Sequence, residues 1–370
     1  MVSLIKEIVK QSILWTPFLC SLLHFNELPF KKLVTHHDGS TKGPKTSGGP
    51  IGKEISHLRD GGPMPKIVNF KPIPVPFIQV DKELLVNQDQ KFLYEIFQLI
   101  RNGPQYLSKM DPNFEAKVPG ELSLARWLTT AVSIGRVYVS TLNPSNALYR
   151  LVHIIMTIYA PMFFTIKKEY HVQNGAKHFC KEVSLARNNL DAKEWQKALK
   201  VFKRNCYHAT PEAILLAGAT DPAHFIEAIN LIIKARRGQE ARRGQKEVRQ
   251  LDMKDFRNII NFKTDNYFEM IDFKKLKPSL LTPPPLLSKY SDEFLLQVAC
   301  GTRSLDSLEI PPIPCHAQDV ERAVADTTRA SKYRIGEENR HQYLLNSAKS
   351  RSQIGTNPKK SAFFNLKPNQ

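Results

Sequence analysis

Ser123-Leu-Ala-Arg-Trp-Leu-Thr-Thr-Ala-Val-Ser-Ile-Gly-Arg-Val-Tyr-Val-Ser-Thr-Leu-Asn-Pro-Ser145 is the stretch on which the fold class turns. Ser123 is a residue type that caps helices, and Trp127, Ile134, Val137 and Tyr138 then fall on related faces of a 3.6-residue repeat. Asn143-Pro144-Ser145 closes that helix and starts the next. Further helices are expected at about 174–187, 193–206, 211–218 and 222–236, and no convincing period-two alternation breaks the series. The block is therefore read as all-α, and the chain as mainly α.

Upstream, a helix is expected over 83–101, closed by Asn102-Gly103-Pro104. Residues 1–36 also read as helical, with Ile5, Ile8, Val9, Ile13 and Leu14 at helical spacing. Between them, 37–80 reads as a Gly/Pro-rich irregular arm lying over the surface. Asp38-Gly39-Ser40 and Ser47-Gly48-Gly49-Pro50 are turn chemistry, and the alternating prolines of Lys71-Pro-Ile-Pro-Val-Pro-Phe77 forbid a helix. Residues 81–277 are assigned to an all-helical body. It carries a basic insert at 234–250, built on the duplication Ala235-Arg-Arg-Gly-Gln-Glu240 and Ala241-Arg-Arg-Gly-Gln-Lys246. That insert is read as a solvated loop able to touch phosphate. Residues 278–290 read as a Pro-rich linker and 291–335 as C-terminal helices, one near 291–300 and one from Ala317 to about Tyr333. Residues 336–370 read as a basic tail without fixed structure.

The 370 residues contain 53 Lys+Arg against 35 Asp+Glu, a formal charge of +18, with 42% hydrophobic and 24% charged residues. This is the composition of a globular protein, and its charge favours polyanions. The five cysteines, Cys20, Cys180, Cys206, Cys300 and Cys315, form no C-x-x-C pair. An intracellular, reducing compartment is expected, the nucleus ahead of the cytoplasm. Ile13 to Leu23 lacks a small-x-small cleavage site, and Leu151 to Ile166 falls short of the roughly 18–20 apolar residues of a membrane span. Both are read as buried helices, and no membrane partner is expected.

No phosphate-loop, dinucleotide, zincin or hydrolase motif is present. No metal site and no cofactor are expected. Gly43 to Gly52, with Lys42, Lys45 and Lys53, could cradle a phosphate, but no hydrophobic strand precedes it and a loop is the better reading. Arg126-Trp127 offers a cation beside a stacking plane suited to an unstacked base; alternatively, Trp127 fills core while Arg126 faces solvent. Ile313-Pro-Cys-His-Ala-Gln-Asp-Val-Glu-Arg322 places Glu321 on a helix after a proline stop, either as a functional carboxylate or as half of a surface pair.

Taken in order, these patterns carry a resemblance. His24-Phe-Asn-Glu-Leu-Pro-Phe30, Asp38-Gly-Ser-Thr-Lys-Gly-Pro44, Gly49-Pro-Ile-Gly-Lys53, Ala125-Arg-Trp-Leu-Thr-Thr-Ala131, Tyr159-Ala-Pro-Met162 and Pro314-Cys-His-Ala-Gln-Asp-Val-Glu-Arg322 resemble uncharacterised open reading frames repeated in animal genomes. That group is similar to the C-terminal part of hAT-type transposases. The likeness spans about residues 13–335.

The resemblance implies a ribonuclease-H-like core interrupted by a large helical insertion. Here that would be a helical insertion-type domain with a residual, incomplete core portion in 1–36 and 291–335. Arg126-Trp127 would be the motif that contacts the transposon end, and Glu321 the last catalytic carboxylate. The family's Cys-x-x-His motif would end at His24, yet its cysteine position holds Ser21, with Cys20 one residue early. The reaction needs three carboxylates for two metal ions. The two expected upstream of His24 are missing, because the first aspartate of this chain is Asp38. The expected function is therefore that of a truncated or domesticated transposase-derived protein, inactive as an enzyme, with weak non-specific nucleic-acid binding. Arg126, Trp127, Arg236, Arg237, Arg242 and Arg243 are the expected contacts. A helical protein–protein interaction module with no nucleic-acid role is the alternative. The oligomeric state is left open.

Overall fold

Helix α1 spans Leu22–Asp38 and α2 Pro50–Arg59. Helix α3 spans Gln88–Asn102 and α4 Arg126–Val139. The α3 start is set by Asn87, whose side chain accepts from the Gln90 N–H at 2.9 Å. Its end is set by Gly103, whose φ of +86° suits glycine and whose N–H closes on the Leu99 carbonyl. The helix therefore begins five residues after Glu83, behind a 3₁₀ turn at Lys82–Leu84. Phe92, Leu93, Ile96, Phe97, Leu99 and Ile100 are buried. Gly135 of α4 admits Ile96 so closely that a Cβ there would sit 2.6 Å from its Cγ2.

In the computed structural model the described residues are 22–40, 48–59, 64–120, 126–241 and 253–310. All belong to one unit, Cys20–Cys315, and none of them forms a strand. The chain is mainly helical, as the sequence implied.

Part of the arm expected over 37–80 is extended, and it is tied down. The Val68 N–H donates to the Val139 carbonyl and the Ile73 N–H to the Ile100 carbonyl, each at 3.0 Å. Tyr138 Oη donates to the Lys71 carbonyl at 2.6 Å and Arg101 Nε to the Val75 carbonyl at 2.8 Å. The buried Arg136 guanidinium donates to the carbonyls of Pro65 and Glu115 at 2.6 and 3.0 Å. Elsewhere the expectation of an irregular arm is corrected, because α2 is a helix. Pro50 stands at its start, where a missing N–H costs nothing. The Asp38 carboxylate accepts from the Ile51 and Gly52 N–H groups at 2.9 and 2.8 Å, and Ile51, Ile55 and Leu58 are buried. Gly49 is needed for this approach, since a Cβ there would lie 1.9 Å from the Asp38 carbonyl oxygen. The anion at this glycine-rich turn is thus the protein's own carboxylate.

Helix α5 runs from Asn146 to Lys168, with Ser145 Oγ accepting from the Leu148 N–H at 3.2 Å. It continues through Pro161 because a π-turn at Ile155–Tyr159 widens the backbone just before it. This helix is long and apolar enough to cross a membrane, and 67% of its most apolar window is buried inside the protein. Helices α6, Gly175–Asn189, and α7, Ala192–Arg204, pack beside it with α1. Phe25 of α1 meets Phe179 and Phe202 at ring-centroid distances of 5.2 and 6.1 Å, and Phe30 stacks on Tyr159 at 4.6 Å. The described part of 1–36, helix α1, thus packs against α4, α5, α6 and α7. Glu182 of α6 is buried here beside a small apolar cavity lined by Asn26, Phe30, Leu33 and Ile154, and burial pushes its carboxyl up to about 8.

Helices α8, Pro211–Gly218, α9, Phe225–Glu240, α10, Met253–Ile259, and α11, Asp292–Ala299, complete the described unit. Two further expectations are corrected. The first copy of the duplication, 235–240, is the end of α9 and not a loop. The segment 278–290 is not a free linker: Leu281, Pro284 and Leu287 are buried. One contact explains both. Arg236 donates to the carbonyls of Tyr290 (2.8 Å) and Leu287 and to Asp292 Oδ1 (3.1 Å), while Gln239 reaches the Leu281 carbonyl at 3.2 Å. The second copy of the duplication, the helix expected from Ala317 and the 336–370 tail lie outside the described residues.

Candidate nucleic-acid interface

The residues singled out in the sequence separate in the fold. Trp127 is buried at 7% exposure, edge-on to Phe30 at 6.3 Å, with the Lys31 ammonium 5.9 Å from its ring centroid. Buried in the α1–α4 contact, the ring is not open to a stacking base, and the core reading is preferred. Arg126 opens α4, and its side chain is outside the described set. Arg236 is corrected from a phosphate contact to a structural pin, because its guanidinium is partly buried and bonded to Leu287, Tyr290 and Asp292. Arg237 is exposed, with Nε 3.7 Å from Asp292 Oδ2. Arg242, Arg243 and Glu321 lie outside the described residues. Among those described, no group of His, Cys, Asp or Glu is arranged to hold a metal ion.

Among the described residues, α7, Ala192–Arg204, presents a row of exposed cations. Asp191-Ala-Lys-Glu-Trp-Gln-Lys-Ala-Leu-Lys-Val-Phe-Lys-Arg204 is sharply two-sided. Glu194, Ala198 and Phe202 point inward, and Lys193, Lys200, Lys203 and Arg204 are exposed, with Lys197 half-buried. Lys193, Lys197, Lys200 and Arg204 recur at intervals of four, three and four residues, so they form one stripe about 16 Å long. None of these five cations makes an ion pair among the described residues.

The one acid within the helix is turned away from this stripe and neutralised. The side chain of Glu194 is fully buried and accepts from Arg150 Nε at 2.8 Å, from the Asp191 N–H at 2.9 Å and from His37 Nε2 at 2.6 Å. Burial alone would raise its pKa. The Arg150, Asp191 and His37 donors outweigh that and hold it at about 2. Asp191 closes the capping box, accepting from the N–H groups of Lys193 and Glu194 at 2.8 and 2.9 Å.

Helix α1 adds to the same face. It runs antiparallel to α7, with Phe25 near Phe202 at one end and His37 on Glu194 at the other. Its exposed residues at this edge are Lys32 and His36. By contrast, the cleft of about 350 Å³ between α6 and Tyr267 carries acids as well as cations: Asp221 and Asp265 line it with Lys177 and Lys181. Lys177 pairs with Asp221 at 3.0 Å and Arg187 with Asp265. Its Cys180 thiol is pushed by burial up to about 12, which removes it as a nucleophile at neutral pH.

Chemically, α7 offers a row of unpaired ammonium and guanidinium groups and no acid–base pair or nucleophile. It is an electrostatic surface. No protein family matches the chain, no curated protein matches its sequence, and no solved structure matches its fold. The signal in the sequence is Lys/Arg at helical spacing after a single capping aspartate, although no named motif marks it.

Proposed function

We propose that this chain is a transposase-derived protein that binds nucleic-acid phosphates without sequence preference and cuts no DNA. The observation that carries the reading is the unpaired basic face of α7. The resemblance over 13–335 supports the ancestry, with 1–36 and 291–335 as the residual ribonuclease-H-like portion around the helical insertion. By the resemblance, Glu321 would be the last of the three carboxylates that a two-metal site needs. An intracellular, nuclear setting fits a protein of charge +18 that binds polyanions.

Fluorescence polarisation of labelled DNA duplex over a salt series tests the reading. If α7 neutralises about four to five phosphates, the slope of log K against log salt contains about −4 from this helix. Replacing Lys193, Lys197, Lys200 and Arg204 together by Gln should flatten the slope by that amount. Salt-independent behaviour, or a quadruple variant that binds as the parent does, would overturn the assignment and favour a protein–protein interaction module. Metal-dependent nicking lost in Glu321→Gln would overturn the inactive reading.

A further inference from the structure

We propose that Asn26, Tyr159 and Glu182 bind one water molecule in the small cavity between α1, α5 and α6, and that this water completes the hydrogen bonding of the three buried side chains. The site is separate from the α7 face, and its test leaves the reading of that face untouched. The cavity is walled mainly by apolar residues, among them Phe30, Leu33 and Ile154. Three polar side chains complete the wall: Asn26 of α1, Tyr159 at the end of the π-turn in α5, and Glu182 of α6. Each of the three residues is only 1% exposed. Asn26 Nδ2 donates to the Tyr159 carbonyl at 3.1 Å, which fixes the amide and leaves Oδ1 as its free end. Neither Asn26 Oδ1 nor Tyr159 Oη makes a hydrogen bond among the described residues. The Glu182 carboxyl likewise has no hydrogen-bond or ion-pair partner among them.

A buried polar group without a partner carries its full desolvation cost, and native interiors leave few such groups. Here three line one cavity. A single water has two protons to donate and two positions to accept, so it can serve all three at once. It donates to Asn26 Oδ1, accepts from the Tyr159 hydroxyl, and shares a further hydrogen bond with the Glu182 carboxyl. The cavity volume open to a water molecule is about 10 Å³, enough for one water and for no organic ligand. The water then ties together three helices whose other contacts at this point are apolar.

The test is a crystal structure of the full chain at a resolution that shows ordered waters, with the melting temperature of Tyr159→Phe beside it. Density for one water should lie about 2.7–3.2 Å from Asn26 Oδ1, Tyr159 Oη and a Glu182 carboxyl oxygen. Tyr159→Phe keeps the ring and takes one partner from the water, so it should melt a few degrees below the parent. In a dry cavity the same change deletes an unsatisfied hydroxyl, and the variant should melt at or above the parent's temperature. Absence of the water density at these three groups, or a Tyr159→Phe variant as stable as the parent, would overturn the proposal.

Discussion

Arg150 of α5 and Glu194 of α7 form a two-pronged ion pair across the helix contact, with the carboxylate fully buried and the guanidinium partly open to solvent. The same guanidinium donates to the Asn189 carbonyl at 2.7 Å. One side chain therefore fixes the entry into α7 and neutralises the one acid within that helix.

The pair gives stability an acid limb. The folded-state pKa of Glu194, about 2, is depressed from 4.5. The stabilisation is complete above 4.5 and is lost as pH falls toward 2. Chemical denaturation of Glu194→Gln should show a shallower loss over that window. Arg150→Met leaves the carboxylate buried without its main partner and should cost about 3 kcal/mol at neutral pH. A neutral Arg150→Met would show that the pair contributes nothing.

Glu182 predicts the opposite sign. Its carboxyl is raised from 4.5 to about 8 by burial, so the folded chain holds a proton that the unfolded chain has released. Between those values stability falls as pH rises, by up to about 1.4 kcal/mol per unit. Glu182→Gln should remove this slope and stabilise the protein at neutral pH. If the variant is less stable than the parent at pH 7.5, the carboxylate is ionised and partnered in the fold.

Trp127→Ala should lower the melting temperature, consistent with the loss of about 3–5 kcal/mol for a buried aromatic. Competition between hairpin-ended and plain duplex DNA should be unchanged, because the indole faces Phe30 and Lys31 and not solvent. Loss of a preference for hairpin ends with no change in melting would restore the stacking role.

The elements that the sequence made legible are those with local causes. Asn87 and Ser145 cap the helices that follow them, and the capping box of Asp191 and Glu194 spans three residues. What was illegible depends on distant partners. Gly49-Pro50 looks like a turn until Asp38, more than ten residues earlier, satisfies the first N–H groups of α2. Arg236 and Arg237 are neighbours in a duplicated run, yet Arg236 alone is claimed by carbonyls some fifty residues away. Trp127 admitted both a core and a contact reading because its neighbour, Phe30, lies far upstream.

The extended segment around Val68 and Ile73 closes the last turns of two different helices, α4 at Val139 and α3 at Ile100. During synthesis this segment leaves the ribosome before either helix exists. Its backbone donors then wait for partners some thirty and seventy residues downstream. The α3–α4 pair reaches its final form only when the nascent chain doubles back onto its own earlier stretch, so native order here arrives late and both helix ends lock together.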